Sequence, residues 1–589
     1  MKKLVCFFLI LIGFFSTKAQ EKPIETVNDT VKTEVVEVIT AFNPKIADAK
    51  KIKITPTIQL PKKSKKKKLE YTIFSAPVAS TFIPRSGVVK GIDVGVKERI
   101  YKNYLAAGYG NFNSPFFEIF LHHNTRFKNE FGVSAKYLSS IDDINNTILN
   151  SDFSNFTFGA FYKKVDRYFD WKISGYSERN TFNWYGLPNI NFNQATINSI
   201  NENQTYNYFK LTGDFKFHDS YIDFSKIAVA YFSDLYKSNE ILINFKTKLN
   251  FPLDFLSPKL KDIAIYSEFE YLKGNFKNNY NNQEASNYNI LTVNVNPEYR
   301  IVYNNFLFKI GFKVFASIDT QNSISDFFIF PDIKFQRPVI KDFLNIYGGL
   351  SGSLKSNTYK NFTEINPYIS PTLFITQTAE NSNLFGGLNG LITNSISFNI
   401  KASIISEEDK PLLLRNNSKS DGASSIVNGY QLKGYEYGNS FRVYYDDVKT
   451  LSFLTEIEYD ITKHISITTQ AQYYKYTITN AFTEWNLPSL EALMSAKYKT
   501  NKWFATADIF YLSERKDAIY NAQYPSSLKG IEIVDSFVDV NLNGGYHFSD
   551  KFSAFLKLSN VLNTQYQRFA NFDTQGFQIL GGITYKFDF

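Results

Sequence analysis

The chain has 589 residues, 43% of them apolar and 17% aromatic, with 57 Phe, 39 Tyr and 4 Trp. No run of about 18 apolar residues occurs, which excludes a helical membrane protein. The formal charge of +9 is local, because Lys2, Lys3, Lys18 and the six lysines within 62–68 account for all of it. A neutral body with one basic tract gives no electrostatic basis for nucleic-acid binding.

In chain order, Lys2 and Lys3 precede a 12-residue apolar stretch, 4–15, and small residues stand at Thr17 and Ala19. This is the layout of an export signal over residues 1–19, cut after Ala19 or Gln20, and its apolar core is too short to span a bilayer. Cys6, the only cysteine, falls inside it. The exported chain therefore has no thiol chemistry, disulfide or Cys-ligated metal. Residues 20–100 read as a periplasmic extension, with Pro56 and Pro61 beside a lysine tract at 62–68 that repels itself and stays extended. Docking of that tract on anionic headgroups or lumen carboxylates is the alternative.

From 101 to the end, ten-residue alternations are separated by polar turns. Phe209, Leu211, Phe215 and Phe217 oppose Lys210, Thr212, Asp214, Lys216 and His218. Phe306, Phe308, Ile310, Phe312 and Val314 oppose Lys309 and Lys313. Leu451, Phe453, Ile457 and Tyr459 oppose Ser452, Glu456, Glu458 and Asp460. Period-two alternation puts each set on one face of a sheet. A charged face opposite an aromatic one matches water inside and lipid outside better than a soluble sandwich does.

The spacing predicts an all-β fold: a transmembrane antiparallel barrel of about 22 strands (20–24) over 101–589. The predicted connections alternate. Short ones such as 165–166, 393–394 and 500–501 alternate with long ones at 140–153, 179–204, 274–285, 354–382, 408–450 and 513–536. Short periplasmic turns and long external loops are the outer-membrane pattern, and an even count places both termini in the periplasm.

Few constellations carry chemistry. His122 and His123 point to opposite faces of one strand, and His218, His464 and His547 are isolated. Glu407-Glu408-Asp409 opens the longest predicted loop, as a solvated acidic stretch or a hard-cation site. Trp485 and Trp503 fit interfacial anchors, and Glu514-Arg515-Lys516-Asp517 a rim ion network. No GxSxG, HExxH, phosphate loop or metal-spaced Cys/His set occurs, so no enzyme activity, metal or cofactor is expected.

The C-terminus carries a family resemblance. The stretch 577–589, with Phe577, Ile579, Ile583, Tyr585, Phe587 and Phe589 on one face, resembles the closing strand that the outer-membrane barrel assembly machinery recognises. Leu558-Ser559-Asn560-Val561-Leu562-Asn563-Thr564-Gln565-Tyr566 and Asn366-Pro367-Tyr368-Ile369-Ser370-Pro371 resemble elements of TonB-dependent receptors. The resemblance covers the barrel portion only. About 80 residues precede the first strand, too few for a complete plug, although lumens of this width are normally plugged. Within 31–40, Thr33, Glu34, Val35, Val36, Glu37 and Val38 resemble the short box that contacts TonB.

What the resemblance implies is a cell-outer-membrane barrel, embedded in outer-membrane lipid, that takes up a solute, with TonB as a partner. The alternative is a non-transporting scaffold or accessory subunit held by an outer-membrane partner protein. Either way a wide barrel without a plug needs closure by the extension, by folded-in loops or by a partner.

Overall fold

The computed structural model describes residues 100–588 apart from 126–128, 146, 283, 342 and 522. They form one closed antiparallel barrel of 22 strands. The last strand, Gln578–Phe587, pairs with Phe552–Ser559 on one side and with the first strand, Asn103–Gly110, on the other. Closure runs in register from Asn103↔Phe587 to Gly110↔Leu580. A closed ladder leaves no unpaired strand edge, the condition for crossing lipid with β-structure.

The alternation explains the two surfaces. On the outer face Phe209, Leu211, Ile310, Phe312, Phe453 and Ile457 are exposed, in a continuous aromatic and aliphatic coat. Their neighbours point inward and pair across strands: Lys226 with Asp214 at 3.2 Å, Lys246 with Glu268 at 2.7 Å, Lys309 with Glu298 at 3.4 Å, and Arg300 with Asp262. An outer surface this apolar is stable only against lipid. No helix among the described residues is long and apolar enough to cross a membrane.

The two ends differ. Where the termini lie, turns shrink to two residues at 304–305, 394–395 and 463–464. Asn304 and Asn305 both adopt positive φ, 46° and 65°, the left-handed pair that a tight hairpin between twisted strands needs. At the opposite end lie the long connections, with two short helices, α1 (Gln194–Ser199) and α2 (Tyr359–Ile365). Three small hairpins also lie there: Ile426–Val427 with Tyr430–Gln431, Arg515–Tyr520 with Leu528–Val534, and Gln567–Phe569 with Phe572–Asp573.

Every predicted strand is present in order, but several run further at the long-loop end. The strand predicted at 395–407 is Ile396–Arg415, and that at 451–460 is Phe441–Thr462. Their ladder continues from Lys410↔Asp446 to Arg415↔Phe441. The longest connection is therefore 416–440, not 408–450. The extra length escapes the alternation rule because Leu412, Leu413 and Leu414 follow one another, and Leu412 and Leu414 are buried against neighbouring loops rather than facing lipid. Glu407-Glu408-Asp409 accordingly sits within a strand. Glu407 accepts from Lys355 at 2.9 Å and pairs with Lys410 at 2.5 Å, so it serves as an ion-pair node rather than the start of a solvated loop. Trp485 is also no lipid anchor: it is 3% exposed and buried with Leu412, Leu414 and Ala518, whereas Trp503 is exposed on the outer face.

Candidate functional site

At the long-loop end the inward side chains change from charged to aromatic. Tyr206, Phe232, Leu272, Phe276 and Tyr288 are all buried, although they come from the walls of a wide barrel. What buries them is the connection 357–376, which folds back across the mouth.

Its α2 helix is tied to five consecutive strands, the fifth to the ninth. Thr358 caps the helix, its side chain accepting from Asn361 N at 3.0 Å. The wall carboxylate Glu240 then accepts from Tyr359 N at 2.7 Å, Lys360 N at 3.2 Å and the Tyr288 hydroxyl at 2.7 Å. A carboxylate on free helix N–H groups satisfies donors that have no partner within the helix and favours the positive end of its dipole. The Tyr359 hydroxyl donates to Asp234 at 3.0 Å, and Lys360 Nζ lies 3.2 Å from Glu178 and 3.1 Å from Glu364. The Tyr359 ring, wholly buried, meets Phe276 and Phe232 edge-on at 4.9 and 5.1 Å. Burial drives its phenol well above the ordinary range, so it stays neutral and donates.

The segment Asn366-Pro367-Tyr368-Ile369-Ser370-Pro371 follows and lies at the centre of the mouth. Tyr206 on the sixth strand donates to Pro367 O at 3.2 Å, while Ser370 N donates to Phe441 O at 2.8 Å on the sixteenth. One loop thus joins nearly opposite sides of the barrel. Tyr368 stacks on Phe572 at 3.6 Å, which brings in the connection 560–577. That connection is organised by Asn560, in the motif singled out from the sequence. Its amide donates to Thr564 O and Gln575 O, at 2.8 and 3.0 Å.

Two further connections complete the cover. Trp184, fully buried, contacts Tyr236 and Tyr435 at 5.5 and 5.4 Å. Asn439 donates to Trp184 O and Gly434 O at 2.7 and 2.8 Å. Gly434 lies so close to the 184–202 connection that a Cβ there would fall 1.7 Å from Asn201 O. Of the four residues expected to form a rim ion network, Glu514, Arg515, Lys516 and Asp517, only Lys516 makes an ion pair among the described residues, and the hairpin carries a second pair that the sequence did not point to. Lys516 pairs with Glu484 at 2.7 Å, and Arg415 pairs with Glu532 at 2.5 Å. Burial raises the Asp517 carboxyl while Arg415 opposes the rise.

Around α2 lie two cavities, of about 590 and 710 Å³. The first is lined by Glu178, Asn180, Lys360, Glu364 and Gln575, and both are lined by Asp539, Tyr566 and Arg568. The mouth therefore pairs an aromatic cover with one largely polar and one largely apolar chamber beside the helix, an arrangement able to hold a small solute by ring contact and hydrogen bonding.

Of the residues singled out from the sequence, Thr33, Glu34, Val35, Val36, Glu37 and Val38, the lysine tract at 62–68, residues 1–19 and Phe589 lie outside the described residues. Ile579, Ile583 and Tyr585 project outward from the closing strand, beside exposed Phe577, and Phe587 O accepts from Asn103 at 3.1 Å. His122 stacks between Phe120 and Phe161, at 6.2 and 6.1 Å. Among the described residues no group of three or more His, Cys, Asp or Glu is placed to hold a metal. Sequence reasoning missed Glu240, Tyr359, Lys360 and Arg568. A usable signal was the density of buried-type residues in a stretch assigned to solvent: Tyr359, Phe362, Tyr368, Ile369, Leu373 and Ile375.

No family model matches the chain, and no curated protein matches it. Solved structures do. The ferripyoverdine receptor of the outer membrane of Pseudomonas aeruginosa is 10% identical with a TM-score of 0.59, over 84% of this chain and 72% of that one. The ferric-catecholate import receptor Fiu from E. coli is 9% identical with a TM-score of 0.59, over 83% and 82%. The FrpB iron transporter from Neisseria meningitidis is 9% identical with a TM-score of 0.62, again over 83% and 82%. At such identities the likeness is one of fold: the chain resembles the 22-stranded barrel of TonB-dependent receptors.

Proposed function

We propose that this barrel resides in the outer membrane and takes up a solute across it, as a TonB-dependent-receptor-like transporter whose mouth is closed at rest by its own loops. The observation that carries this reading is the docked connection 357–376, which joins nearly opposite walls and leaves two chambers beside α2. Either a scaffold or a transporter needs the mouth of a wide barrel closed, but the chambers beside the cover favour a transporter, which also needs a place for its cargo. The fold neighbours are a receptor, an import receptor and a transporter, which supports the same reading. Thr33, Glu34, Val35, Val36, Glu37 and Val38 would supply the contact with TonB, and the closing strand would present Phe577 to Phe589 to the assembly machinery.

The test compares depletion of small solutes from the medium by cells carrying the full chain, a chain lacking 31–40, or none. At least one solute should disappear with the full chain alone. Equal media in all three cultures would overturn the proposal.

A further inference from the structure

The larger cavity has an unbalanced corner. Arg515, at the start of the 515–534 hairpin, is 4% exposed, and among the described residues no carboxylate forms an ion pair with it. Its Nη2 donates to Gln567 O at 2.8 Å and its Nη1 to Arg568 O, while Nε is buried and makes no hydrogen bond. Beside it stands Arg568, whose own side chain is exposed, lines both cavities and makes no hydrogen bond or ion pair with any described residue. Two adjacent guanidiniums, one stripped of water, repel each other. Burial and Arg568 together pull the Arg515 guanidinium down to about 10, against the opposing pull of the Asp517 carboxylate.

Around them the wall is apolar, formed by Leu413, Trp485, Phe510 and Phe537, with the Arg515 guanidinium 5.7 Å from the Phe537 ring centroid. Two carboxylates also line the cavity, Glu491 and Asp539, the latter accepting from Asn541 at 3.0 Å. They disfavour a polyanion. A single anionic head beside the guanidiniums relieves their repulsion, and planar guanidinium donors suit carboxylate and phosphate oxygens alike.

We propose that Arg515 and Arg568 form an anion-recognition corner for cargo that carries one carboxylate or phosphate on an apolar body, seated against Trp485 and Phe537. This deepens the uptake reading and rests on it. Arg568 is the residue that would touch the anion, and Arg515 positions it by holding the 566–569 backbone.

Isothermal titration of the full detergent-solubilised chain tests it, with 4-phenylbutyrate and phenyl phosphate as anionic probes. The neutral amide 4-phenylbutyramide and the cation 4-phenylbutylammonium are the controls. At least one anion should bind ten-fold or more tightly than the amide, and which one does identifies the head group. Arg568→Gln should lose that preference and Arg568→Lys should keep most of it, while Asp539→Asn should strengthen anion binding several-fold. Heat-modifiable gel migration verifies that each variant is folded. Equal affinity for anion and amide, failure of both anions to bind at millimolar concentration, or unchanged binding by Arg568→Gln would overturn the inference. Because binding is read apart from uptake, solute depletion without anion preference sinks only this corner. Anion binding without depletion sinks only the transport reading.

Discussion

Glu240 shows how much one side chain can decide. Three donors end on its carboxylate, two of them helix N–H groups that have no other partner. Glu240→Leu leaves all three buried and unmet, at about 3 kcal/mol in total after relaxation. That is roughly a hundred-fold in local opening, so amide exchange across 357–376 should accelerate by about that factor while the barrel strands stay protected. Unchanged exchange would mean that the helix is held by its rings alone. Gly434 is the converse case, a position defined by the absence of a side chain. Gly434→Val forces its Cβ into Asn201 O and should undock 416–440 from 184–202, read as new protease cleavage in both connections without loss of the folded barrel.

At the scale of elements, the question is which connection seals the barrel. The connection 357–376 contacts both walls and supplies Tyr359, Phe362, Ile369, Leu373 and Ile375 to the buried cluster. Replacing it with a short Gly/Ser link removes the bridge between the sixth and sixteenth strands. Steady conductance in planar bilayers should then rise several-fold above that of the native chain. Removing the far smaller connection 320–323, which contributes nothing to that cluster, should leave conductance unchanged. The strands themselves were legible because alternation is a local property: Phe209 and Lys210 report their faces whatever lies across the barrel. Connections carry no such period. The burial of Tyr368 and Trp485 depends on side chains that arrive from Phe572 and Leu412, far along the chain.

Over the whole molecule the two faces answer to different solvents. Phe209→Lys places a charge in the apolar coat and should cost about 2–4 kcal/mol in vesicle-reconstituted unfolding if the site lies near the bilayer midplane. Lys210→Gln, one residue away on the inner face, should change stability by no more than about 0.5 kcal/mol. Near-equal costs would show that the outer surface does not face lipid. The buried core of this molecule lies at its mouth rather than in its wall, because a single-layered barrel has no second layer to pack against until its loops fold inward.

Alternation, turn residues and the aromatic excess by themselves determined the all-β class, the strand number and order, the two faces and the contrast between short and long connections. Each of these follows from side-chain direction along a strand, which a sequence states residue by residue. Tertiary structure alone decided that the mouth is covered and that α2 is pinned by Glu240. It also decided that Glu407 sits within a strand, that Trp485 is buried, and that Arg515 lies beside Arg568. Those features arise where residues from about fifty to more than two hundred positions apart compete for one small space, and the winners are set by shape and hydrogen-bond satisfaction, which no local period encodes.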